Sequence, residues 1–568
     1  MYAPIDGLRM LAVETSLLFA FFVLALLILH FVRPSIRCPR WLEAILARNW
    51  RAVLLVILVA LVGRALILPW VGIPQPRIND EFSYLLMGDT FAHFRLTNPT
   101  PPVWQHFETF HVNLTPTYHS KYPVAQGLAL AIGEIVFHQP WVGVYLATAL
   151  LCGAICWALQ AFVPPAWALV GGLFAVLHFA IFSYWMNSYW GGSVPALGGA
   201  LALGSVVRLF RKDQSERDRT RCAAVFALGL LILGTSRPYE GLAFALPLLL
   251  YFAYKLVRGC LALEVRLRST VLPVVLMGAA AVVLIGYYNH ETTGKALLMP
   301  YALNERTYSS LPLFLGQTVA PQLEPRDPVF AKYYVVEAKE HALEDTQTLS
   351  GFMWWEIRRW WMNWFFYVGP ALSFPFFLGI LGCIKRRDLW IVLAGAITTA
   401  VAVSVCVFSQ YHYFAPATVT VYVFCVEGLR YLWEQRSNGA RAFVSAVCLT
   451  VFAVSVSRNS AAAAANITFR LPDIRTSVTR QLEARPGKHL VLVSYDMARH
   501  YPGDELVHNG ADFASEKILW ARSKGAGNDV ALCSAYPDRT FWSVTSDDIS
   551  STLQPLPGCD QQNAVPQR

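Results

Sequence analysis

Long apolar runs that carry almost no charge most constrain how this chain of 568 residues can fold. Inside a bilayer every backbone polar group must be paired, so runs of about 20 apolar residues are expected to form spanning helices. Charged residues make up only 15% of the chain, against about 25% in a typical soluble domain. The sequence therefore predicts an α-helical polytopic membrane protein of about 12 transmembrane helices, near residues 14–33, 52–71, 141–162, 166–184, 192–210, 222–236, 240–257, 269–288, 361–383, 389–409, 414–433 and 441–457.

Basic residues concentrate in short loops between these runs, and such loops stay in the cytoplasm. They are the loops 33–51, 208–221, 255–268, 385–387 and 430–441. The long loops 72–140 and 289–358 are then expected outside. The apolar stretch 124–138 would invert this arrangement if it spanned. Because it is short and carries Glu134, it is interpreted as a helix lying at the outer interface. The same loop bias accounts for the net charge of +9, so no nucleic-acid partner is expected.

The predicted organisation has three parts. Residues 1–51 hold an extra N-terminal span and a basic cytoplasmic loop, and residues 52–458 form the main transmembrane module. The first run lacks a basic flank and a cleavage site, which favours a retained span over a signal peptide. Residues 459–568 are expected to form a small soluble α/β domain outside the cytoplasm, with a disordered tail after Pro555. Its strands are expected at His489–Ser494 and Thr540–Val544, and Glu516–Arg522 is a short helix or strand.

Two cysteines differ from the other nine, which lie in or beside apolar segments. Cys533 and Cys559 both occur in the polar C-terminal region. Because disulfides persist in oxidising compartments, an extracytoplasmic position predicts a bridge between them.

The first outward loop opens with two adjacent carboxylates, Asp80 and Glu81, directly after a span. A carboxylate at the membrane surface can act as general base on a hydroxyl whose co-substrate is anchored in the bilayer. The alternative is structural, because Asn79 or Asp80 can cap the helix that follows. Both readings remain open from these residues alone.

The rest of this loop mixes aromatic side chains with His, Glu and Lys, a composition that suits sugar and phosphate contacts. The spacing of His106, Glu108 and His111 also resembles loose metal ligation, but no fourth ligand is evident, so no structural metal is expected. Assistance by a divalent metal ion is left open. The candidate substrate-binding residues of this loop are Tyr84, His106, Glu108, His111 and Tyr122, with Lys121 a candidate phosphate ligand.

Three further outward tips carry polar residues. The link 183–192 contains Asn187, Tyr189 and Trp190 as candidate substrate-binding residues, or else forms an interfacial aromatic belt. Arg237 is a candidate phosphate ligand and Glu240 a candidate substrate-binding residue, although the two could simply form an ion pair. The last tip offers His412 for phosphate and Tyr413 for substrate. All of these tips open on the same predicted side of the membrane, which favours one outward-facing site.

In this order of motifs the sequence resembles the GT-C class of membrane glycosyltransferases. It is most similar to the branch of protein O-mannosyltransferases and lipid A aminoarabinose transferases. The resemblance rests on the acidic pair Asp80-Glu81 after a span and on Lys121-Tyr122-Pro123, which leads into a helix ending Val136-Phe137-His138. It covers residues 50–260. The chain departs from the family pattern in its extra N-terminal span, in Tyr122 where proline is usual, and in its C-terminal region.

The resemblance implies transfer of a sugar from a polyprenyl-phosphate-linked donor to an acceptor hydroxyl on a lipid, glycan or protein. Transfer would occur on the extracytoplasmic face, with inversion, and Asp80 would be the general base. Glu81 is the second catalytic candidate, expected to orient the acceptor, to hold a metal or to raise the pKa of Asp80. The implied location is the bacterial inner membrane. A transporter or flippase of a lipid-linked or small substrate is the main alternative, and a non-catalytic membrane scaffold is another. Against transport, the ionisable residues concentrate in outward loops rather than near the midplane.

Overall fold

The structure is a computed structural model that describes residues 4–32, 40–211, 214–261, 267–309, 311–317, 327–340, 345–408, 410–435, 437–468, 474–498, 505–546 and 553–556. Its helices are α1 (Pro4–Val32), α2 (Arg40–Leu46), α3 (Asn49–Val71), α4 (Asn79–Ala92), α5 (Val124–Phe137), α6 (Trp141–Leu159), α7 (Pro165–Ala175), α8 (Ser193–Leu209), α9 (Glu216–Ser236), α10 (Pro238–Leu261), α11 (Leu267–Thr270), α12 (Leu272–Thr293), α13 (Pro300–Tyr308), α14 (Pro328–Glu340), α15 (Leu349–Tyr367), α16 (Gly369–Lys385), α17 (Trp390–Val405), α18 (Thr418–Glu434), α19 (Asn438–Thr468), α20 (Ile474–Glu483) and α21 (Ala526–Ala535). The strands are β1 (Val112–Asn113), β2 (His119–Ser120), β3 (Lys488–Ser494), β4 (Ile518–Arg522), β5 (Arg539–Thr545) and β6 (Gln554–Pro555).

Within the described residues, 8 helical segments are long and apolar enough to cross a membrane, or 9 if one bent pair counts as a single span. The chain is therefore a multi-pass membrane protein, and the expected count of 12 is not confirmed. The remaining predicted spans fall on shorter or bent helices. Residues 165–180 and 193–209 form helices of fewer than 18 residues, α18 has 17, and 361–383 falls on the bent pair α15–α16.

The bend between α15 and α16 measures 99° and occurs at Gly369. This residue has φ of 62°, a left-handed conformation that costs glycine little and other residues more. Pro370 follows and cannot donate to the helix that precedes it. Backbone chemistry at these two positions therefore explains why one apolar run becomes two helices.

Close packing between α16 and α18 depends on glycine. A side chain at Gly379 would place its Cβ 1.8 Å from the carbonyl oxygen of Phe424, and one at Gly428 would lie 1.9 Å from that of Pro375. Small residues let membrane helices approach closely enough for dense van der Waals contact. These glycines thus fix the crossing of two helices, one of which begins directly after the segment 410–417.

The loop 72–140, which the sequence predicts to face outward and which is called the first outward loop, folds into α4, the short antiparallel pair β1–β2 and α5. Residues 124–137 are helical, as the sequence predicts, and α5 packs on α4 and α6. Its position at the membrane interface stays a prediction. The short helix α13, from the second long loop, lies over β1, where Asn304 Nδ2 donates to Asn113 Oδ1 at 3.0 Å. The two long loops that the sequence predicts to face outward are therefore in contact.

The C-terminal region contains a four-stranded sheet in the order β4-β3-β5-β6. Strand β3 is parallel to both β4 and β5, and β6 is antiparallel to β5. The expected strands at His489–Ser494 and Thr540–Val544 lie within β3 and β5, and the segment left open between helix and strand contains β4. The tail beyond residue 556 and Cys559 lie outside the described residues.

Both faces of the parallel strands β3 and β4 are buried, which is typical of parallel strands. Leu490 and Leu492 share an apolar cluster with Phe107, Leu114 and Tyr118 of the first outward loop. On the opposite face, Val491 and Val493 pack with residues of α20. The sheet consequently docks directly on the loop that carries Asp80 and lies on the same side of the membrane as that loop.

Candidate active site

A single cavity of about 1460 Å³ joins a polar end and an apolar wall. The polar end carries Asp80, Tyr84, His111, Lys121, Tyr122, Trp190, Arg237, Glu240, Tyr301, Glu305, His412 and Tyr413. The apolar wall includes Leu128, Ile132, Leu146, Leu150, Leu228, Leu231, Leu284 and Ile285. Ile132 is 54% exposed and Leu284 is 65% exposed, so this wall opens on the helix surface that a bilayer covers.

Asp80 is at the polar end, in the first turn of α4. Its side chain is 24% exposed, and the hydroxyl of Tyr122 donates a hydrogen bond to Oδ1. Desolvation in the cavity raises the pKa of Asp80, although the bond from Tyr122 and the charge of Lys121 oppose the rise. A carboxylate with a raised pKa is a better proton acceptor, which is the property that a general base needs.

His111 faces the second oxygen of this carboxylate, with Nε2 3.6 Å from Asp80 Oδ2. Its backbone is left-handed, with φ of 63°, and its carbonyl accepts bonds from Ser83 Oγ at 2.6 Å and from Lys121 N at 3.0 Å. Burial lowers the pKa of His111, and the nearby Lys121 charge lowers it further, so the ring is neutral near pH 7. A strained backbone conformation held by such bonds often marks a functional position.

Glu81 is buried and lies outside the cavity wall. Oε2 accepts from the backbone nitrogen of Arg77 at 2.8 Å and from that of Ile78 at 3.3 Å, and Oε1 accepts from that of Tyr189 at 2.9 Å. The carboxylate thus caps α4 and ties it to the link 183–192. The sequence predicts Asn79 or Asp80 as the capping residue, but the side chain that accepts from the first backbone nitrogens is that of Glu81, and Asp80 lines the cavity.

Lys121 is buried at the polar end and is paired across the two outward loops. Its Nζ donates to Glu305 Oε1 at 3.0 Å and lies 4.7 Å from the ring centre of Tyr301. Both partners belong to α13, where a spacing of four residues puts them on one face. Sequence reasoning gave no role to Tyr301 or Glu305, and this helical spacing in the second loop was the available signal.

Arg237 occupies the junction between α9 and α10. Its Nη1 is 3.7 Å from Glu240 Oε1, and its guanidinium lies 4.6 Å from the ring centre of Tyr413. The ion pair considered in the sequence analysis therefore exists, but it is long, and all three residues line the cavity. The side chain of Arg237 is 19% exposed, so the guanidinium is partly accessible from the cavity that it lines.

His412 completes this end of the cavity. Nδ1 lies 3.2 Å from the hydroxyl of Tyr184, and the ring packs edge-on against Trp190 at 4.6 Å between ring centres. Burial lowers the pKa of His412, as does the charge of Arg237, so the imidazole is neutral. A neutral ring still offers one N–H to a phosphate oxygen.

Four predicted substrate-binding residues lie away from the cavity wall. His106 and Glu108 are buried against the C-terminal region, where His106 Nδ1 lies 2.9 Å from the carbonyl oxygen of Arg522. Asn187 Oδ1 accepts from Arg64 Nη2 at 2.8 Å, and the hydroxyl of Tyr189 donates to Pro74 O at 2.9 Å. These contacts hold the first loop against the C-terminal region and the link 183–192 against α3 and Pro74.

In the described part of the chain, no group of three His, Cys, Asp or Glu residues is placed to hold a metal ion. His106, Glu108 and His111 point to separate partners despite their close spacing. Cys533 is disulfide-bonded. Its predicted partner is outside the described residues, so that pairing stays a prediction.

Comparison with solved structures supports the GT-C fold expected from the sequence. The crystal structure of ArnT from Cupriavidus metallidurans in the apo state aligns with a TM-score of 0.51 and 12% identity, covering 87% of this chain and 92% of that one. The same protein bound to undecaprenyl phosphate gives a TM-score of 0.50 over the same shares. ArnT is a lipid A aminoarabinose transferase of the GT-C class. No family model and no curated protein matches the sequence.

Proposed function

We propose that this chain is a membrane glycosyltransferase that moves a sugar from a polyprenyl-phosphate donor to an acceptor hydroxyl on the extracytoplasmic face. The acceptor oxygen attacks the anomeric carbon and a new C–O bond forms. The bond from that carbon to the phosphate oxygen breaks, and polyprenyl phosphate leaves with the electron pair. Asp80 takes the hydroxyl proton. Attack opposite the leaving group inverts the anomeric centre.

The observation that carries this proposal is the continuity of the cavity. A carboxylate and two cations, Lys121 and Arg237, lie at one end, and the wall that follows is apolar and open to the bilayer side. A lipid-linked sugar phosphate has the same two-part chemistry. ArnT, which shares the fold, has been solved with undecaprenyl phosphate bound, and this chain is proposed to take a carrier of that class.

The cations suit a phosphate leaving group. Negative charge develops on the phosphate as the bond breaks, and fixed positive charge in a desolvated site stabilises it. Lys121 pairs with Glu305 and Arg237 pairs with Glu240 along the cavity wall. This pairing offsets the cost of placing two partly buried positive charges at the site. His412 is proposed to add a neutral N–H donor.

The deciding experiment is an assay of sugar release by purified full-length protein on a panel of polyprenyl-phosphate sugars. The parent should turn over at least one donor, and Asp80→Asn should lose about 10²–10⁴ in rate because the general base is gone. Asp538→Asn is a matched control, since that exposed carboxylate pairs with Lys488 in the C-terminal region. Turnover by Asp80→Asn close to the parent rate would remove Asp80 as the base.

The purified protein, reconstituted into lipid vesicles, also tests the transport alternative. Reconstituted protein that moves a lipid-linked sugar across the bilayer, with no sugar released or transferred in any assay, would favour a flippase over the proposed transferase.

A further inference from the structure

We propose that Tyr122 is a positioning residue that acts through Asp80, an inference that rests on the proposed function. The Tyr122 hydroxyl donates to Oδ1 of Asp80. The other oxygen, Oδ2, faces His111 Nε2 at 3.6 Å, which is too long for a hydrogen bond. The protein thus holds one carboxylate oxygen and leaves the other to receive the acceptor's proton.

The ring of Tyr122 is fixed well enough for this task. It stacks on Tyr84 with 4.4 Å between ring centres and 15° between ring planes. Tyr84 follows Asp80 by four residues on α4, so both project from the same helix face. The backbone nitrogen of Tyr122 donates to Ser120 Oγ at 3.2 Å. The neighbouring residue, Lys121, is bonded to Glu305.

The position is informative because this chain departs from the family pattern here. The resembled families usually have proline where Tyr122 stands. Proline has no hydroxyl, so the donor to Asp80 is a property of this sequence. The structure gives this substituted residue a partner, because its hydroxyl donates to Asp80.

The bond has a consequence for pH dependence. A hydrogen bond donated to the ionised form of a carboxyl favours that form and lowers its pKa. Burial raises the pKa of Asp80, and the bond from Tyr122 is the largest opposing effect. The charged and titratable groups around Asp80 are Glu81, Tyr84, His111, Lys121, Tyr122, Arg237 and Tyr413. Loss of the Tyr122 hydroxyl raises the Asp80 pKa further, and the base is then protonated over more of the pH range.

The test is the pH profile of donor turnover by full-length parent, Tyr122→Phe and a matched control. Tyr122→Phe keeps the ring and removes the donor. The acid limb of its profile, where turnover falls as Asp80 becomes protonated, should move to higher pH by about one to two units. Turnover should fall about tenfold, with little change in donor KM. Tyr536→Phe is the control, because its hydroxyl contacts Pro102 O at 3.4 Å in the docked C-terminal region. It should leave the profile unchanged.

An acid limb for Tyr122→Phe that coincides with the parent's overturns the proposal, whether or not turnover falls, because packing alone does not move that limb. If Tyr122→Phe fails to fold, replacing Tyr122 with 3-fluorotyrosine preserves shape and gives a more acidic, stronger donor. The limb should then move to lower pH, and an unmoved limb contradicts the assignment. A parent inactive on every donor counts instead against the proposed function.

Discussion

Neighbouring carboxylates in one helical turn have different surroundings in this protein. Successive residues of a helix point about 100° apart, so Asp80 and Glu81 cannot both face the same cavity. The sequence predicts the pair and its position after a span. The backbone nitrogens of Arg77, Ile78 and Tyr189 then determine which member turns inward, because they occupy both oxygens of Glu81. The partner at Tyr189 is 108 residues away and could not be read from the local pattern.

Glu81→Gln is expected to lower stability more than Asp80→Asn and to lower catalytic rate less. Glutamine replaces an accepting oxygen with an NH₂ group and leaves a buried backbone N–H without its partner, at a cost of about 1–3 kcal/mol. Thermal unfolding in detergent and donor turnover measure the two effects. Equal stability of both variants, with turnover abolished in Glu81→Gln, would assign catalysis to Glu81 instead.

At the level of elements, long uniform spans were predictable and short or broken ones were not. The eight described helices that are long and apolar enough to cross a membrane all coincide with predicted spans. A hydropathy pattern cannot register the left-handed backbone at Gly369 or the π-helical turn at Val176–Ala180, which end helices early. A hydropathy pattern also cannot show that α13 contributes to the site, because Glu305 of α13 contacts Lys121 across 184 residues of sequence.

The link 183–192 shows how a buried charge in a span supports the site. Arg64 of α3 is fully buried, and its guanidinium donates to Ile181 O at 3.1 Å and to Asn187 Oδ1 at 2.8 Å. At its other end, the link is bonded to α4, because the backbone nitrogen of Tyr189 donates to Glu81 Oε1. Arg64, the link and Glu81 therefore form a continuous path from the membrane interior to the helix that carries Asp80.

Asn187→Leu separates this supporting role from the substrate-binding role predicted from the sequence. Leucine has a similar volume and removes the acceptor from a buried guanidinium, which should cost about 2 kcal/mol of stability. The donor KM of the folded fraction should stay near that of the parent. A raised donor KM with unchanged unfolding temperature would restore Asn187 to the substrate site.

On the scale of the whole molecule, charge and packing connect the C-terminal sheet to both long outward loops. Arg522 of β4 is buried and pairs with Asp327 at 3.1 Å and with Glu505. Its Nη2 also donates to Glu108 O at 3.2 Å. The ring of Phe82, two residues beyond Asp80, stacks on His508 at 4.0 Å. The strands themselves were predictable, but this docking depends on contacts between residues about 400 positions apart, as between His106 and Arg522.

Labelling from outside tests which side of the membrane this assembly occupies. Single cysteines at Thr115, Gln347 and Ser515, all exposed, sample the two long loops and the C-terminal region, in a protein otherwise free of cysteine. Because these parts contact one another and the basic loops favour the cytoplasm, all three sites should react with a membrane-impermeant thiol reagent in intact cells. A cysteine at Asn438, beside a basic loop, should react only after permeabilisation. Protection of all three sites with labelling at 438 would invert the topology and exclude an extracytoplasmic site, whereas protection of Ser515 alone would contradict its docking on the outward loops.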